Sequence, residues 1–174
     1  KSLKKQIILD LKKITSKRNN FAGLNFLKFP NIMGILNLTP DSFSDGGKFD
    51  KNNKGTKHAI EMIRSGANII DVGGESTRPG SKAVNVKIEW NRIYKILSTI
   101  SKKVPISLDT RKSEIMEKGI KLGVKIINDV SGLSYDYKSK NILKKYKTSL
   151  IVHHMQGSPE NMQNNPSYEN ELLD

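Results

Sequence analysis

The sequence predicts an α/β fold organised around a parallel sheet, and three observations carry that expectation. Five short apolar runs, at 32–36, 67–72, 104–109, 125–129 and 149–153, are continuous rather than alternating. That is the pattern of strands buried on both faces. Between the runs, apolar residues recur every three or four positions, as on one face of a helix. Strand and helix therefore alternate along the chain, the signature of right-handed βαβ units.

Each element has its own signal. Leu3, Ile7, Leu11 and Ile14, spaced among lysines, predict an amphipathic helix over 2–16, which Arg18, Asn19 and Asn20 break. Residues 1–30 read as an N-terminal extension, helical in part, and 31–174 as the domain that follows. The first run ends at Asn37 and enters the turn-rich stretch LTPDSFSDGG, 38–47. Ala59, Ile60, Ile63 and Ala67 mark a helix. The second run carries Asp71 and leads into GGESTRPGS, 73–81. Ile93, Ile96, Leu97 and Ile100 mark the next helix, and the third run ends at Asp109, followed by Thr110 and Arg111. Ile115, Met116, Gly119 and Leu122 form a third helical set, leading to a run that ends at Asn128 and Asp129. Ile142, Leu143 and Tyr146 form a shorter set, and the fifth run ends at His153 and His154. Pro166 and Ser167 could start one further helix.

Composition narrows the classes of function. At 36% hydrophobic in 174 residues, the chain can build an ordinary soluble core. Its formal net charge of +13 comes mostly from lysines scattered over the polar sides of the helical patterns. Aromatic residues are only 6%, and no basic cluster is interleaved with them, so a nucleic-acid partner is not expected. No apolar run reaches the roughly 18 residues of a membrane span, no signal-like segment opens the chain, and no membrane partner is expected. The absence of cysteine rules out a disulfide scaffold and fits a cytoplasmic protein.

In α/β folds the chemistry gathers where strands end, and here nearly every strand end carries a carboxylate or carboxamide. Asn37 is either a loop cap or an oxygen ligand to a hard cation such as Mg²⁺. Asp109 either caps the helix at 111–122 or grips a ring-nitrogen and amino pair with both oxygens. Asn128 is either a satisfied core amide or a partner to a heterocycle edge. Arg78, in a Gly/Pro loop with Ser76 and Thr77, is either solvated or meets an anion. His153 and His154 are adjacent in a strand and point to opposite faces, so zinc is not expected. No P-loop, G-x-G-x-x-G or G-x-S-x-G motif is present.

Five stretches together resemble the dihydropteroate synthase family of folate biosynthesis: IMGILNLTPDSFSDGG (32–47), GANIIDVGGESTRPGS (66–81), ISLDTRKSEI (106–115), KIINDVSGL (125–133) and HMQGSP (154–159). The resemblance covers 31–174. It implies a (β/α)₈ TIM barrel of the pterin-binding type. It implies condensation of 6-hydroxymethyl-7,8-dihydropterin diphosphate with 4-aminobenzoate, giving 7,8-dihydropteroate and diphosphate, with Mg²⁺ as cofactor. By position, Asn37 resembles the residue that contacts the Mg²⁺–diphosphate. Asp109, Asn128 and Met155 resemble pterin contacts, and Thr77 a diphosphate contact. Phe43, Thr77 and Pro79 would frame the aminobenzoate site, where sulfonamides compete. Asp45 and Arg78 resemble the catalytic pair by which two loops close over the site, and Gly46, Gly47, Gly73 and Gly74 suit loops that move. A homodimer is a further expectation. The family's later Asp-Pro-Gly stretch, Lys-bearing loop and final Arg- and His-bearing strand do not occur in these 174 residues. The chain is therefore expected to lack the family's C-terminal third and to hold about the first five βα units. The rival expectations are a pterin-dependent methyltransferase on the same barrel, which SFSDGG and ESTRPG disfavour, and a truncated, non-catalytic pterin-binding homologue.

Overall fold

The five apolar runs form one parallel sheet. In a computed structural model the described residues are 2–17, 20–27, 30–39, 53–78, 80–163 and 165–169. The helix α1 (Leu3–Thr15) comes first, then a small antiparallel hairpin, β1 (Asn20–Phe21) and β2 (Leu24–Asn25). Five strands follow: β3 (Met33–Asn37), β4 (Ile69–Gly73), β5 (Ile106–Asp109), β6 (Ile126–Asp129) and β7 (Ser149–Val152). They alternate with α2 (Lys54–Arg64), α3 (Val86–Ile100), α4 (Ser113–Lys121) and α5 (Ser139–Tyr146). The sheet order is β3-β4-β5-β6-β7, with every neighbouring pair parallel.

The hairpin has no counterpart among the sequence expectations, because two-residue strands are too short to show a period. Its turn was the available signal. Ala22 and Gly23 both take positive φ, 54° and 88°, the conformation that closes a two-residue hairpin with the right twist. Four of the strands also start later than the apolar runs, and β7 starts with its run but ends at Val152, before His153. Asn68, inside the second run, serves instead as a lead-in: its N–H donates to the carbonyl of Ile32, and its side-chain oxygen accepts from the N–H of Ile32, both at 2.8 Å. At Pro166 and Ser167 the described chain is not helical.

Strand alternation divides the sheet into two faces. One register row, Leu36, Val72, Leu108, Ile127 and Leu150, packs beneath the helices. Against it α3 buries Ile93, Ile96, Leu97 and Ile100 completely, each contributing roughly 1.5–3 kcal/mol. Two of the helices, α2 and α4, then hand the chain to the next strand with the same device. In α4, Gly123 N–H donates to the Ile120 carbonyl at 2.9 Å and Val124 N–H to the Gly119 carbonyl at 3.1 Å. Gly66 and Ala67 repeat the pattern after α2, on Ile63 and Met62. This Schellman arrangement places its glycine where φ must be positive, +104° at Gly66 and +100° at Gly123.

Gly119 has a different reason to be glycine. A Cβ there would run into the Leu108 side chain, so α4 lies directly on β5. Ala is the better helix former by about 1 kcal/mol, yet Gly119→Ala should destabilise by roughly 1–3 kcal/mol, because the core must shift to admit the methyl. Urea denaturation reads this directly, and a gain in stability would contradict the packing described.

Candidate functional site

The sheet's other face ends in a polar row. Register sets Asn37 beside Gly73, Gly73 beside Asp109, and Asp109 beside Asn128. The bare glycine matters here. A Cβ at Gly73 would sit 3.4 Å from Asn37 Oδ1 and 3.4 Å from Asp109 Oδ2, so both oxygens lean over the gap that the missing side chain leaves. One row deeper, Asp71 is buried. The Asn128 side-chain nitrogen reaches it at 3.4 and 3.5 Å, and Asn128 Oδ1 lies 2.9 Å from His153 Nε2. The structure thus brings together Asn37, Asp109 and Asn128 as the sequence expected. It adds Asp71 and His153, which the sequence marked only as polar.

Asp109 is not the helix cap. Lys112 occupies that position in α4 without a side-chain cap bond, and the first helical N–H, of Ser113, donates to Asp136 Oδ2 at 2.9 Å. Asp129, by contrast, is structural. Its carboxylate accepts from Ser131 N–H at 2.8 Å, Ser131 Oγ at 2.7 Å and Leu133 N–H at 3.2 Å, closing the turn after β6.

The Asp109 carboxyl is pushed up to about 7, first by burial and then by the charges of Asp71, Glu89, Asp129 and Glu75. The Asp71 carboxyl is also raised by burial, while the nearby Ser107 hydroxyl, the Asn128 amide and the field of His153 oppose that shift. Two partly desolvated carboxyls beside a polar row that carries no cation make a site that favours a neutral, donor-rich ligand.

Behind the row lies a buried ion cluster that holds the 73–81 loop. Glu75 accepts from Arg111 Nε at 2.7 Å, from Lys112 Nζ at 2.6 Å and from the N–H of Val84 at 2.7 Å. Lys112 Nζ also reaches Glu89 at 2.5 Å, and Thr110 Oγ1 donates to the other Glu89 oxygen at 2.5 Å. Burial works to raise the Glu75 carboxyl, but Lys112, Val84 N–H and Arg111 outweigh it and hold it below its usual range. The Arg111 guanidinium covers the Tyr135 ring at 4.1 Å. Three successive strand-to-helix loops are therefore pinned to one another.

The remaining expected residues lie around the row. Thr77 is half-buried and Arg78 exposed. Their loop turns back on itself, with Ser81 N–H donating to the Arg78 carbonyl at 3.1 Å, and ties to the loop after β7 through Gly80 N–H and the Pro159 carbonyl at 3.0 Å. Met155 is half-buried just past β7. β7 ends at Val152, so His153 and His154 lie past the strand that the sequence placed them in, and His154 packs on Tyr168, with ring centroids 5.5 Å apart. Phe43, Asp45, Gly46, Gly47 and Pro79 lie outside the described residues. Among the described residues no group of three or more His, Cys, Asp or Glu could hold a metal ion, and no helix is long and apolar enough to cross a membrane.

Comparison with known proteins gives this row a family. Residues 33–174 match the family of pterin binding enzymes. The chain belongs to that family. Among its relatives, the dihydropteroate synthase of Neisseria meningitidis serogroup C is 47% identical over 80% of this chain and 50% of its own length. That of Escherichia coli K12 is 44% identical over 82% and 51%. Among solved structures, the Yersinia pestis dihydropteroate synthase in complex with a sulfonamide drug superposes with a TM-score of 0.76 at 37% identity, covering 87% of this chain and 56% of that one. The Xanthomonas albilineans enzyme with 4-aminobenzoic acid gives 0.74 at 35% identity, covering 89% and 55%. The chain spans about half the length of the curated relatives it matches. The solved neighbours are TIM barrels, and the five-stranded parallel sheet of this chain is consistent with part of one.

Proposed function

We propose that this chain carries the pterin half of a dihydropteroate synthase site, which condenses 6-hydroxymethyl-7,8-dihydropterin diphosphate with 4-aminobenzoate. The observation that supports this best is the row Asn37, Gly73, Asp109 and Asn128 above buried Asp71. A pterin presents a ring N–H and an exocyclic amino group side by side. A carboxylate meets such a pair with both oxygens, in two charge-assisted hydrogen bonds. Asp109 takes that part, and Asn128, with one acceptor and two donors, reads the adjoining edge. Met155 lines the ring. Thr77 faces the diphosphate, and Thr77, Phe43 and Pro79 frame the aminobenzoate. Asp45 and Arg78 act as the loop-closing pair, in a domain that follows an extension over 1–30.

Asn37 suits a Mg²⁺ ion that is held chiefly by phosphate and water, since such an ion takes few protein ligands and prefers oxygen. When bound, the ion would offset the charge that the departing diphosphate gains. The chain's own residues do the rest: Asp109 and Asn128 orient the ring, and the buried ion cluster holds the base of the loop that bears Thr77.

The raised Asp109 carboxyl gives this reading a pH signature. Only the ionised form accepts both hydrogen bonds. With its titration near 7, affinity for 6-hydroxymethyl-7,8-dihydropterin should tighten about tenfold from pH 6 to pH 8. Calorimetric titration across that range tests it, and affinity that falls toward pH 8 would contradict it. Turnover is tested with protein from the complete reading frame, given the pterin diphosphate, Mg²⁺ and labelled 4-aminobenzoate. Dihydropteroate should form; pterin binding without product would leave a binding protein instead.

A further inference from the structure

We propose that His153 is a positioning residue of this pocket, whose Nε2–H fixes which way the Asn128 carboxamide faces. The proposal rests on Asn128 reading the pterin edge, as above. The geometry is a three-membered rail: Asp71 oxygens at 3.4 and 3.5 Å from Asn128 Nδ2, and Asn128 Oδ1 at 2.9 Å from His153 Nε2. Hydrogen-bond chemistry orders it. An ionised carboxylate can only accept, so Asn128 must turn its NH₂ toward Asp71. Its oxygen then faces His153, and an amide oxygen also only accepts, so His153 must carry its proton on Nε2.

The consequence concerns specificity. Asn128 keeps one N–H and one lone pair for a ligand, and their order around the pocket depends on the amide's orientation. A carboxamide flipped by 180° about its last torsion presents the reverse order in nearly the same shape. Asp71 opposes that flip from below, and His153 opposes it from the side of β7. No other described side chain is recorded in a hydrogen bond with Asn128. The backbone explains the placement: Ile151 is the register partner of Asn128, and His153, two residues on and just past the end of β7, still ties to the sheet through its N–H on the Asp129 carbonyl at 3.3 Å.

The test separates this role from packing. His153→Leu removes the donor. His153→Gln returns an N–H donor near the Nε2 position, and His153→Glu offers an acceptor where a donor is needed. For 6-hydroxymethylpterin, His153→Leu should bind about tenfold more weakly than the wild type, His153→Gln within about threefold of it, and His153→Glu at least as weakly as the Leu variant. In turnover the loss should fall on KM of the pterin diphosphate, with kcat nearly unchanged. Leu and Gln variants of equal affinity would overturn the proposal. A second measurement needs no ligand and stands even if the pocket takes another heterocycle. In ¹⁵N spectra of the free protein, His153 should show a protonated Nε2, and the Asn128 side-chain resonances should move in His153→Leu. A proton on Nδ1 alone, or unmoved Asn128 resonances, would overturn it.

Discussion

Asp109→Asn should abolish pterin recognition and, at the same time, make the protein more stable. The two effects share one cause. The carboxyl is held near 7 by burial and by four neighbouring carboxylates, so the fold strains against its ionised form. The sign follows from linkage: a carboxyl with a folded value of about 7 and an ordinary value near 3.9 disfavours folding only once it ionises. Below about pH 4 the wild type and the variant should be nearly equal. Between pH 4 and 7 the wild type should lose ground, and at pH 8 the amide should be ahead by about 1–3 kcal/mol, read by denaturant midpoint. Binding goes the other way. An amide turns its NH₂ toward a ligand edge that itself donates, so one charge-assisted bond is replaced by a clash of donors and the other keeps only a neutral acceptor. A loss of at least a hundredfold in pterin affinity is expected at pH 8. Unchanged affinity would show that Asp109 is not the floor of the pocket, and reduced stability at pH 8 would show that its charge is welcome there.

Lys112→Met should have the largest effect on stability. Lys112 Nζ bridges Glu75 and Glu89, at 2.6 and 2.5 Å, and all three side chains are buried. Its removal leaves Glu89 with the Thr110 hydroxyl and the field of Arg92, and Glu75 with Arg111, and both carboxylates lose the lysine that bridges them in a dry site. Breaking a buried pair in this way costs about 3–5 kcal/mol, a large share of the stability of a typical domain. Glu89→Gln in the Lys112→Met background should recover part of that loss, because the uncompensated charge goes with it. A single-variant loss below about 1 kcal/mol would mean that the cluster is solvated rather than buried. Because the cluster ties Glu75 of the 73–81 loop to α3 and to the start of α4, milder variants should disturb the loop before they unfold the protein.

The contrast between the row and the cluster shows what a single sequence reveals. The row was legible because Asn37, Asp109 and Asn128 each end an apolar run, and parallel strands in order must set such ends side by side. The ion cluster was not legible. Glu75 and Lys112 are separated by 37 residues, and a lysine in a lysine-rich chain reads as solvated surface until a fold shows it buried. That Asp109 does not cap the helix depends on a distant residue, since Asp136 supplies the cap that Asp109 could have given. The sequence placed His153 and His154 in the fifth strand, but β7 ends at Val152, and only the fold shows that the first meets Asn128 and the second Tyr168.

The central claim is that the strand-end row is the floor of a pterin pocket. A crystal structure of the protein grown with 6-hydroxymethylpterin tests it most directly. The ring should lie over Gly73, with its N–H and amino group within hydrogen-bond distance of both Asp109 oxygens and its adjoining edge on Asn128. A ring bound elsewhere, or turned so that another edge meets Asp109, would contradict it.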